Sequence, residues 1–167
     1  MTSRVLVALR IAAPPVRVFE AFTAEIGEWW RPNALFTSSR QPPGRLAMEP
    51  GAGGRVTETH DDGEVVEIGR IRVWEPPDRL VFTWRPSSFG PGQETEVHVG
   101  FEPVAGGASR VVVEHFGWDA IPPEHAARHG FPLFPFQQRL AEWWGDLLSS
   151  LAAALAGRAQ GPTGLQR

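Results

Sequence analysis

The chain has 167 residues and a net charge of −3 at pH 7, which suits a single domain and gives no general attraction to nucleic acid. It contains no cysteine and no tyrosine, and all of its basic residues are arginines. Disulfides, thiolate nucleophiles, cysteine metal sites and Schiff-base lysines are therefore excluded. No signal segment and no apolar run of the roughly 20 residues that span a bilayer is present. We expect a cytoplasmic protein with neutral partners and no membrane insertion.

The first predicted strand is Arg4 to Ile11, where apolar residues alternate with polar ones. The segment from Pro14 to Trp30 then changes to three- and four-residue steps, which predicts a helix with one buried face. Its stripe consists of Phe19, Phe22, Ile26, Trp29 and Trp30. Pro14 and Pro15 suit the first turn of a helix, and Pro32 ends it.

Five further segments read as strands joined by turns, and they predict an antiparallel meander. They are Arg55–His60, Glu64–Trp74, Leu80–Arg85, Thr95–Glu102 and Ser109–Phe116. The Asp61-Asp62-Gly63 turn between the first two is typical of a hairpin tip and explains these carboxylates without a cation.

A long helix is predicted near the C-terminus, where the helical period lasts about five turns. Its apolar stripe consists of Phe136, Leu140, Trp143, Trp144, Leu147, Leu148, Leu151 and Leu155. No internal repeat or second domain is evident, so residues 1–156 are predicted to form one domain and residues 157–167 a disordered tail.

Four phrases of the sequence resemble a known family. They are the segment Ala13 to Thr23, the Gly53-Gly54-Arg55 entry to the sheet, Leu80 to Trp84, and His115-Phe116-Gly117-Trp118. They resemble bacterial members of the heat-shock ATPase activator homologue family, within the START-like superfamily of polyketide cyclases and lipid-transfer proteins. The resemblance spans roughly Arg4 to Ala156. It implies an α+β helix-grip fold, in which a curved antiparallel sheet wraps a long C-terminal helix and short helices follow the first strand.

The resemblance also implies a cavity between the sheet and the C-terminal helix, where members of the superfamily bind hydrophobic ligands and some cyclise polyketides. Strand alternation and the aromatic stripes nominate side chains for its wall. The candidate ligand-binding residues are Phe22, Trp29, Trp30, Phe36, Glu67, Phe82, Trp84, Val99, Phe101, Val113, His115, Phe131, Phe134, Trp144 and Leu148. We expect Trp143 or Trp144, but not both, to belong to the core; a filled core with no cavity is the alternative.

His115 and Glu67 are the weak catalytic candidates. His115 continues an apolar face and should point inward, as a core histidine bonded to backbone, as a polar anchor for a ligand, or as a base. Glu67 faces the cavity if the alternation of its strand is unbroken, where burial would perturb its pKa. A bulge at Gly69-Arg70 would instead place Val66 and Ile68 inside. Arg72 or Arg85 would hold an oxyanion if either faces the cavity.

The segment from Ile121 to Pro135 is rich in proline and aromatic residues. It fits either a lid over the cavity or a connecting loop pinned to the core by Phe131 and Phe134. His125 and His129 stand four residues apart, a spacing that suits a metal on one helical face, but a solvated short helix explains them better because no third ligand follows. We predict no metal and no cofactor.

Three functional classes are compatible with these observations. The first is a binding or carrier protein for a hydrophobic or aromatic small molecule, which the shortage of catalytic residues favours. The second is an enzyme, a cofactor-independent cyclase or lyase that uses the same cavity with help from His115 and Glu67. The third is a co-chaperone-like protein that modulates a partner through its surface. The sequence permits a homodimer.

Overall fold

A computed structural model describes the backbone of residues 3–165 and the side chains of residues 3–157. Its helices are α1 (Pro15–Thr23), α2 (Ile26–Trp29) and α3 (Leu133–Leu165), with 3-10 turns at Trp118–Ala120 and Ala126–Arg128. Its strands are β1 (Arg4–Ile11), β2 (Arg45–Met48), β3 (Arg55–Thr59), β4 (Val65–Glu75), β5 (Arg79–Trp84), β6 (Thr95–Val104) and β7 (Ala108–Phe116). The side chains from residue 158 onward lie outside this description. The disordered tail predicted for residues 157–167 therefore stays a prediction.

The seven strands form one antiparallel sheet in the order β1-β7-β6-β5-β4-β3-β2, which curls around α3. All eight residues of the predicted α3 stripe are buried in the core of the protein. The α+β helix-grip fold is therefore confirmed. The sequence analysis missed β2, because only Leu46 and Met48 of its four residues face inward and so short a segment shows little alternation.

The single helix predicted from Pro14 to Trp30 is wrong, because the chain bends between α1 and α2. Glu25 leaves the helical conformation, with φ −113° and ψ 20°. Its carboxylate accepts two hydrogen bonds from Arg17, at 2.9 and 3.1 Å, and the Trp29 indole N–H donates to the Ala21 carbonyl at 2.9 Å. Residues eight apart lie about 12 Å apart along a continuous helix. The bend thus brings residues eight apart together, and three hydrogen bonds fold α2 back onto α1.

Strand β4 contains the bulge that the sequence left open. Val56 of β3 pairs with Gly69 while the next residue, Thr57, pairs with Glu67, so Ile68 is the extra residue on β4. Ile68 and Gly69 are both buried, and Glu67 is exposed. Of the two alternatives, the bulged strand is correct, although the bulge lies at Ile68 instead of Gly69-Arg70. Ile68 is inside as predicted, Val66 is only half-buried, and Glu67 does not face the interior.

The bulge is held by close backbone contacts to β5. Arg70 N–H donates to Thr83 Oγ1 at 2.8 Å, and Arg85 N–H donates to the Ile68 carbonyl at 2.7 Å. A Cβ atom on Gly69 would overlap the Thr83 carbonyl. Only glycine therefore fits at this position without displacing β5.

We predict that Gly69→Ala lowers the free energy of unfolding by at least about 2 kcal/mol, because the new methyl group forces β4 and β5 apart. Gly100→Ala is the matched control, since Gly100 lies in β6 and no atom comes within 4 Å of a Cβ built there. Chemical denaturation of both variants checks this. Equal losses in the two variants would contradict the proposed role of the bulge.

Candidate functional site

Aromatic side chains fill the space between the sheet and α3. Trp30 lies among Trp84, Trp143 and Trp144, with ring centroids 5.3, 5.4 and 5.6 Å away. Trp143 and Trp144 are both buried, so the expectation that only one belongs to the core is wrong. Adjacent positions diverge by about 100° around a helix, but Trp30 contacts both rings and Trp84 also contacts Trp143.

Nine of the candidate ligand-binding residues belong to this packed interior. They are Phe22, Trp29, Phe82, Val99, Phe101, Val113, His115, Trp144 and Leu148, each at most 2 % exposed. None of them lines either of the two cavities that border the segment from residue 30 to residue 45. These residues hold the shape of the grip, and the open space lies beside it.

The first cavity, which we call the Glu58 cavity, has a volume of about 220 Å³ and lies between α2, the segment after it, β2 and β3. Its lining consists of Gly27, Trp30, Pro32, Asn33, Phe36, Thr37, Ser38, Ser39, Arg40, Gln41, Pro43, Gly44, Arg45, Leu46 and Glu58. Of these, the sequence analysis nominated Trp30 and Phe36. Together with Leu46 they give the cavity an apolar wall, and Glu58 and Arg45 give it charged groups of opposite sign.

Glu58 is a carboxylate buried at the wall of this cavity, with 1 % of its surface exposed. The Ser39 hydroxyl donates a short hydrogen bond to Glu58 Oε1, and the Gly44 N–H donates to Oε2 at 3.0 Å. His60 Nε2 lies 2.8 Å from Ser39 Oγ and 3.4 Å from Glu58 Oε1. Two donors and a buried imidazole thus hold the carboxylate in one orientation.

Two glycines make room for the charged groups. A Cβ atom on Gly44 would lie 2.8 Å from Glu58 Cγ, and one on Gly27 would lie 2.8 Å from Arg45 Nε. Both distances are shorter than van der Waals contact allows, so the absence of a side chain lets the carboxylate and the guanidinium approach the backbone.

The sequence did contain a signal for Glu58. Val56, Glu58 and His60 alternate along β3 and its extension, and all three are buried. The sequence analysis placed Glu58 and His60 in the strand Arg55–His60 but did not ask which face they share, and so this pattern was missed. Alternation that places a carboxylate and an imidazole on the face of a valine is a sign of a built polar site.

The second cavity, which we call the Trp118 cavity, also has a volume of about 220 Å³ and lies on the other side of Phe36. It is lined by Leu35, Phe36, Thr37, Trp84, Pro86, Ser88, Trp118, Ala126, Ala127 and His129. Phe36 and Thr37 border both cavities. The Phe36 ring stacks on Trp143 at 5.0 Å and meets Phe136 edge-on at 5.5 Å, so Phe36 forms the partition between them.

An arginine holds the segment from Ile121 to Pro135 in place, whereas the sequence predicted that two phenylalanines would do so. The buried Arg128 guanidinium donates to the carbonyls of Trp118, Ile121 and Phe131 at 3.3, 2.6 and 2.8 Å. Phe131 is only half-buried, and Phe134 is 69 % exposed and lines neither cavity. The nomination of Phe134 therefore gains no support, because at the start of α3 its side chain faces solvent. Whether the segment acts as a lid stays a prediction.

Two other candidate chemistries are not supported by the geometry. Glu67 is exposed and pairs with Arg70 at 3.0 Å, so it cannot work with the buried His115. His125 Nδ1 accepts from the Ala127 N–H, whereas His129 Nε2 lies 2.5 Å from the Leu35 carbonyl. The two imidazoles thus serve different contacts. Among the described residues, no group of three metal-ligating side chains comes together.

His115 is a core histidine whose contacts are with side chains, where the sequence predicted backbone. The Trp144 indole N–H donates to His115 Nδ1 at 3.1 Å. His115 Nε2 lies 2.8 Å from Thr95 Oγ1, whose own hydroxyl donates to the Trp84 carbonyl at 2.8 Å. These partners fit one neutral tautomer, with a lone pair on Nδ1 and a proton on Nε2. The Trp118 indole N–H also lies 3.1 Å from Nε2. In this tautomer Nε2 carries the proton and cannot accept a hydrogen bond from Trp118.

Burial lowers the pKa of His115 to about 3. The imidazole is therefore neutral over the physiological range. It is enclosed by Thr95, Trp118 and Trp144 and lines neither cavity, so the roles of ligand anchor and base are not supported.

The chain matches the family model for activator of Hsp90 ATPase homolog 1-like proteins over residues 12–156. It belongs to this family. The match includes every residue that lines the two cavities. None of the curated proteins is significantly similar to the chain in sequence.

Three solved structures show how far the likeness extends. The anthrahydroquino-γ-pyrone synthase Txn09 is 31 % identical over 83 % of this chain and 86 % of its own, with a TM-score of 0.51. Protein MLL2253 from Mesorhizobium loti is 21 % identical over 92 % and 97 %, with a TM-score of 0.62. An Hsp90 activator from Plasmodium falciparum is 17 % identical over 92 % and 96 %, with a TM-score of 0.64. The last two likenesses support the fold alone.

Among the described residues, no helix is both long enough and apolar enough to cross a bilayer.

We predict that His115→Phe lowers the free energy of unfolding by roughly 2–3 kcal/mol, because it leaves the buried Trp144 N–H without its acceptor. The variant should also change the pH dependence. The unfolded imidazole has its ordinary pKa of 6.5 and the folded one about 3, so the neutral native histidine costs stability as pH falls from about 6.5 to 3.

Urea denaturation at pH 4.5, 5.0 and 5.5 measures this effect. The wild type should lose about 1.4 kcal/mol per pH unit more than His115→Phe does, which corresponds to one proton. Parallel pH profiles for the two proteins would contradict a neutral buried His115.

Proposed function

We propose that the protein binds a planar aromatic small molecule in the Glu58 cavity. The observation that carries this proposal is the meeting of an aromatic wall, formed by Trp30 and Phe36, with the buried carboxylate of Glu58 in one cavity. Ligand sites are mostly apolar concavities in which a few fixed polar groups orient the bound molecule. The Trp118 cavity does not contain a comparable group, because neither Glu58 nor another carboxylate is in its lining.

The size of the cavity narrows the class of ligand. Its volume of about 220 Å³ falls below the roughly 300–1,000 Å³ of pockets that hold drug-sized molecules. A compound of one or two rings fits this space better than a lipid with a long acyl chain. Flat rings also suit the faces of Trp30 and Phe36, which favour stacked or edge-on contacts.

The charged groups at the cavity wall narrow the class of ligand further. Glu58 Oε2 accepts only the Gly44 N–H among its described hydrogen bonds, so it retains a lone pair for a hydroxyl or amine of the ligand. Arg45 lines the same cavity and supplies a cation for a carbonyl or carboxylate oxygen. A ring compound with a hydroxyl or a carbonyl group meets both requirements.

An enzyme that uses the same cavity is the second candidate, and a specific likeness favours it. Txn09, at 31 % identity, is a γ-pyrone synthase. A cofactor-independent cyclase or lyase in this protein would require a fixed proton acceptor beside the ligand, and Glu58 provides one. The candidates from sequence do not, since His115 is enclosed and Glu67 is on the outside.

The remaining expectations about partners gain no further support. The likeness to the Plasmodium falciparum Hsp90 activator is 17 % and supports the fold, so the co-chaperone-like role stays a hypothesis. The homodimer also stays a prediction.

We predict that 2-naphthol binds saturably, with one molecule per chain, and that Gln41→Trp weakens its affinity at least about tenfold by filling the Glu58 cavity. Ser88→Trp is the matched control, because Ser88 is also an exposed loop residue but lines the Trp118 cavity. Isothermal titration calorimetry gives both affinities.

Two outcomes would contradict the proposal. If Ser88→Trp loses affinity and Gln41→Trp does not, the ligand binds in the Trp118 cavity. Absence of binding to the wild type, across 2-naphthol and the bicyclic ketones 1-tetralone and 2-tetralone, would contradict a site for small aromatic compounds.

A further inference from the structure

The arrangement of Ser39, Glu58 and His60 is more specific than ligand binding alone requires. Glu58 and His60 are buried polar residues on the strand side of the Glu58 cavity, and Ser39 joins them from the segment that covers it. Burying a carboxylate and an imidazole together costs free energy unless each is hydrogen-bonded. Such a cluster at the wall of a cavity is a candidate for chemistry on the bound molecule.

The hydrogen bonds assign different roles to the two carboxylate oxygens. Ser39 has a single hydroxyl proton, and it donates this proton to Oε1. Ser39 Oγ therefore accepts from His60, which fixes the proton of His60 on Nε2. Oε1 is thus engaged from two sides, at the Ser39 hydroxyl and at the His60 contact of 3.4 Å. Oε2 accepts from the Gly44 N–H alone and is the oxygen with a lone pair to spare.

Arg45 completes the set of groups that a proton transfer from carbon needs. It lines the same cavity and presents a permanent positive charge there. A base that removes a proton next to a carbonyl group creates negative charge on the carbonyl oxygen, and a nearby cation stabilises that charge. The cavity thus combines an oriented carboxylate, a guanidinium and an aromatic wall.

We propose that Glu58 Oε2 accepts a proton from the carbon next to the carbonyl group of a bound aromatic ketone, an inference that rests on the proposed binding function. The C–H bond breaks and an O–H bond forms on Glu58. The electron pair of the C–H bond becomes the C=C bond of an enolate, and the carbonyl π electrons move to the oxygen beside Arg45. Return of the proton from Glu58 to carbon or oxygen restores the carboxylate, so no oxidant or reductant is consumed.

Ser39 and His60 act in this scheme as positioning residues. They act on the Glu58 carboxylate, because their contacts at Oε1 leave Oε2 as the oxygen that takes the proton. Loss of the Ser39 hydroxyl should therefore slow proton transfer without weakening the binding of the ketone.

The exchange of hydrogen for deuterium at the carbon between the ring and the carbonyl group of 2-tetralone tests the proposal. The full chain in D₂O is incubated with 2-tetralone, and deuterium uptake is followed by NMR across a range of ketone concentrations. We expect saturable acceleration by the wild type, and a maximal rate at least about 100-fold lower in Glu58→Gln, the loss typical when a general base is removed. Ser39→Ala should lower the maximal rate about tenfold and leave KM unchanged.

Glu67→Gln is the matched control, because it removes an exposed carboxylate on the outer face of the sheet and should exchange at the wild-type rate. Glu58→Asp is a second test of the same position should Glu58→Gln fail to fold. It keeps the charge but withdraws the oxygens by one methylene, and it should lower the maximal rate at least about tenfold. Thermal unfolding confirms that each variant is folded.

The affinity for 2-tetralone, measured by tryptophan quenching on the same samples, separates the two proposals. Binding without accelerated exchange, or exchange that survives Glu58→Gln, overturns the proton-transfer role and leaves the binding function standing. A rise of KM in Ser39→Ala at an unchanged maximal rate overturns the positioning role. Absence of both binding and exchange overturns both proposals.

Discussion

The position of Trp30 at the end of α2 determines where this fold can hold a ligand. Its ring packs among Trp84, Trp143 and Trp144 and fills the space between the sheet and α3. Protein interiors are packed about as densely as organic crystals, so little volume remains inside the grip. The other edge of the half-buried Trp30 borders the Glu58 cavity. One side chain thus closes the interior and forms the wall of the open site.

Three buried titratable groups among residues 3–157 differ in their access to open space. His115 is enclosed by Thr95, Trp118 and Trp144, and it is neutral because burial lowers its pKa to about 3. Arg128 keeps its charge inside the protein by donating to three carbonyls, and it holds a connecting segment in place. Glu58 is equally buried but borders a cavity and keeps a lone pair on Oε2. Burial of a polar group therefore does not by itself indicate a binding site; the group must also border a cavity that a ligand can enter.

Sequence periodicity predicted the parts of the fold that depend on one extended pattern. The α3 stripe from Phe136 to Leu155 and the longer strands are correct, because each buried face repeats over many residues. It failed where a single contact overrides the period. The Arg17–Glu25 pair ends α1 early, and nothing in the local hydrophobic pattern indicates this. The pattern allowed a bulge near Gly69 but could not decide between that bulge and an unbroken strand.

The candidate site was harder to predict than the fold because it is built from short and irregular segments. The resemblance implied a cavity between sheet and helix, and the nominated residues followed from that place. The observed cavity instead involves β2, which is four residues long, and the loop that contains Ser39 and Gly44. Trp30 and Phe36 of its wall were nominated from the aromatic pattern, and Glu58 and His60, which alternate with Val56, were also within reach of sequence reasoning. The Ser39 hydroxyl and the Gly44 N–H, which orient Glu58, could not be identified without the conformation of the loop.

We propose that the ligand lies beside the grip and not within it. A crystal structure of the protein grown with 2-naphthol tests this position directly. We predict electron density for the rings against Trp30 and Phe36, with the naphthol oxygen within hydrogen-bond distance of Glu58 Oε2. Density between the sheet and α3, with Trp144 displaced from His115, would contradict it and return the site to the interior of the fold.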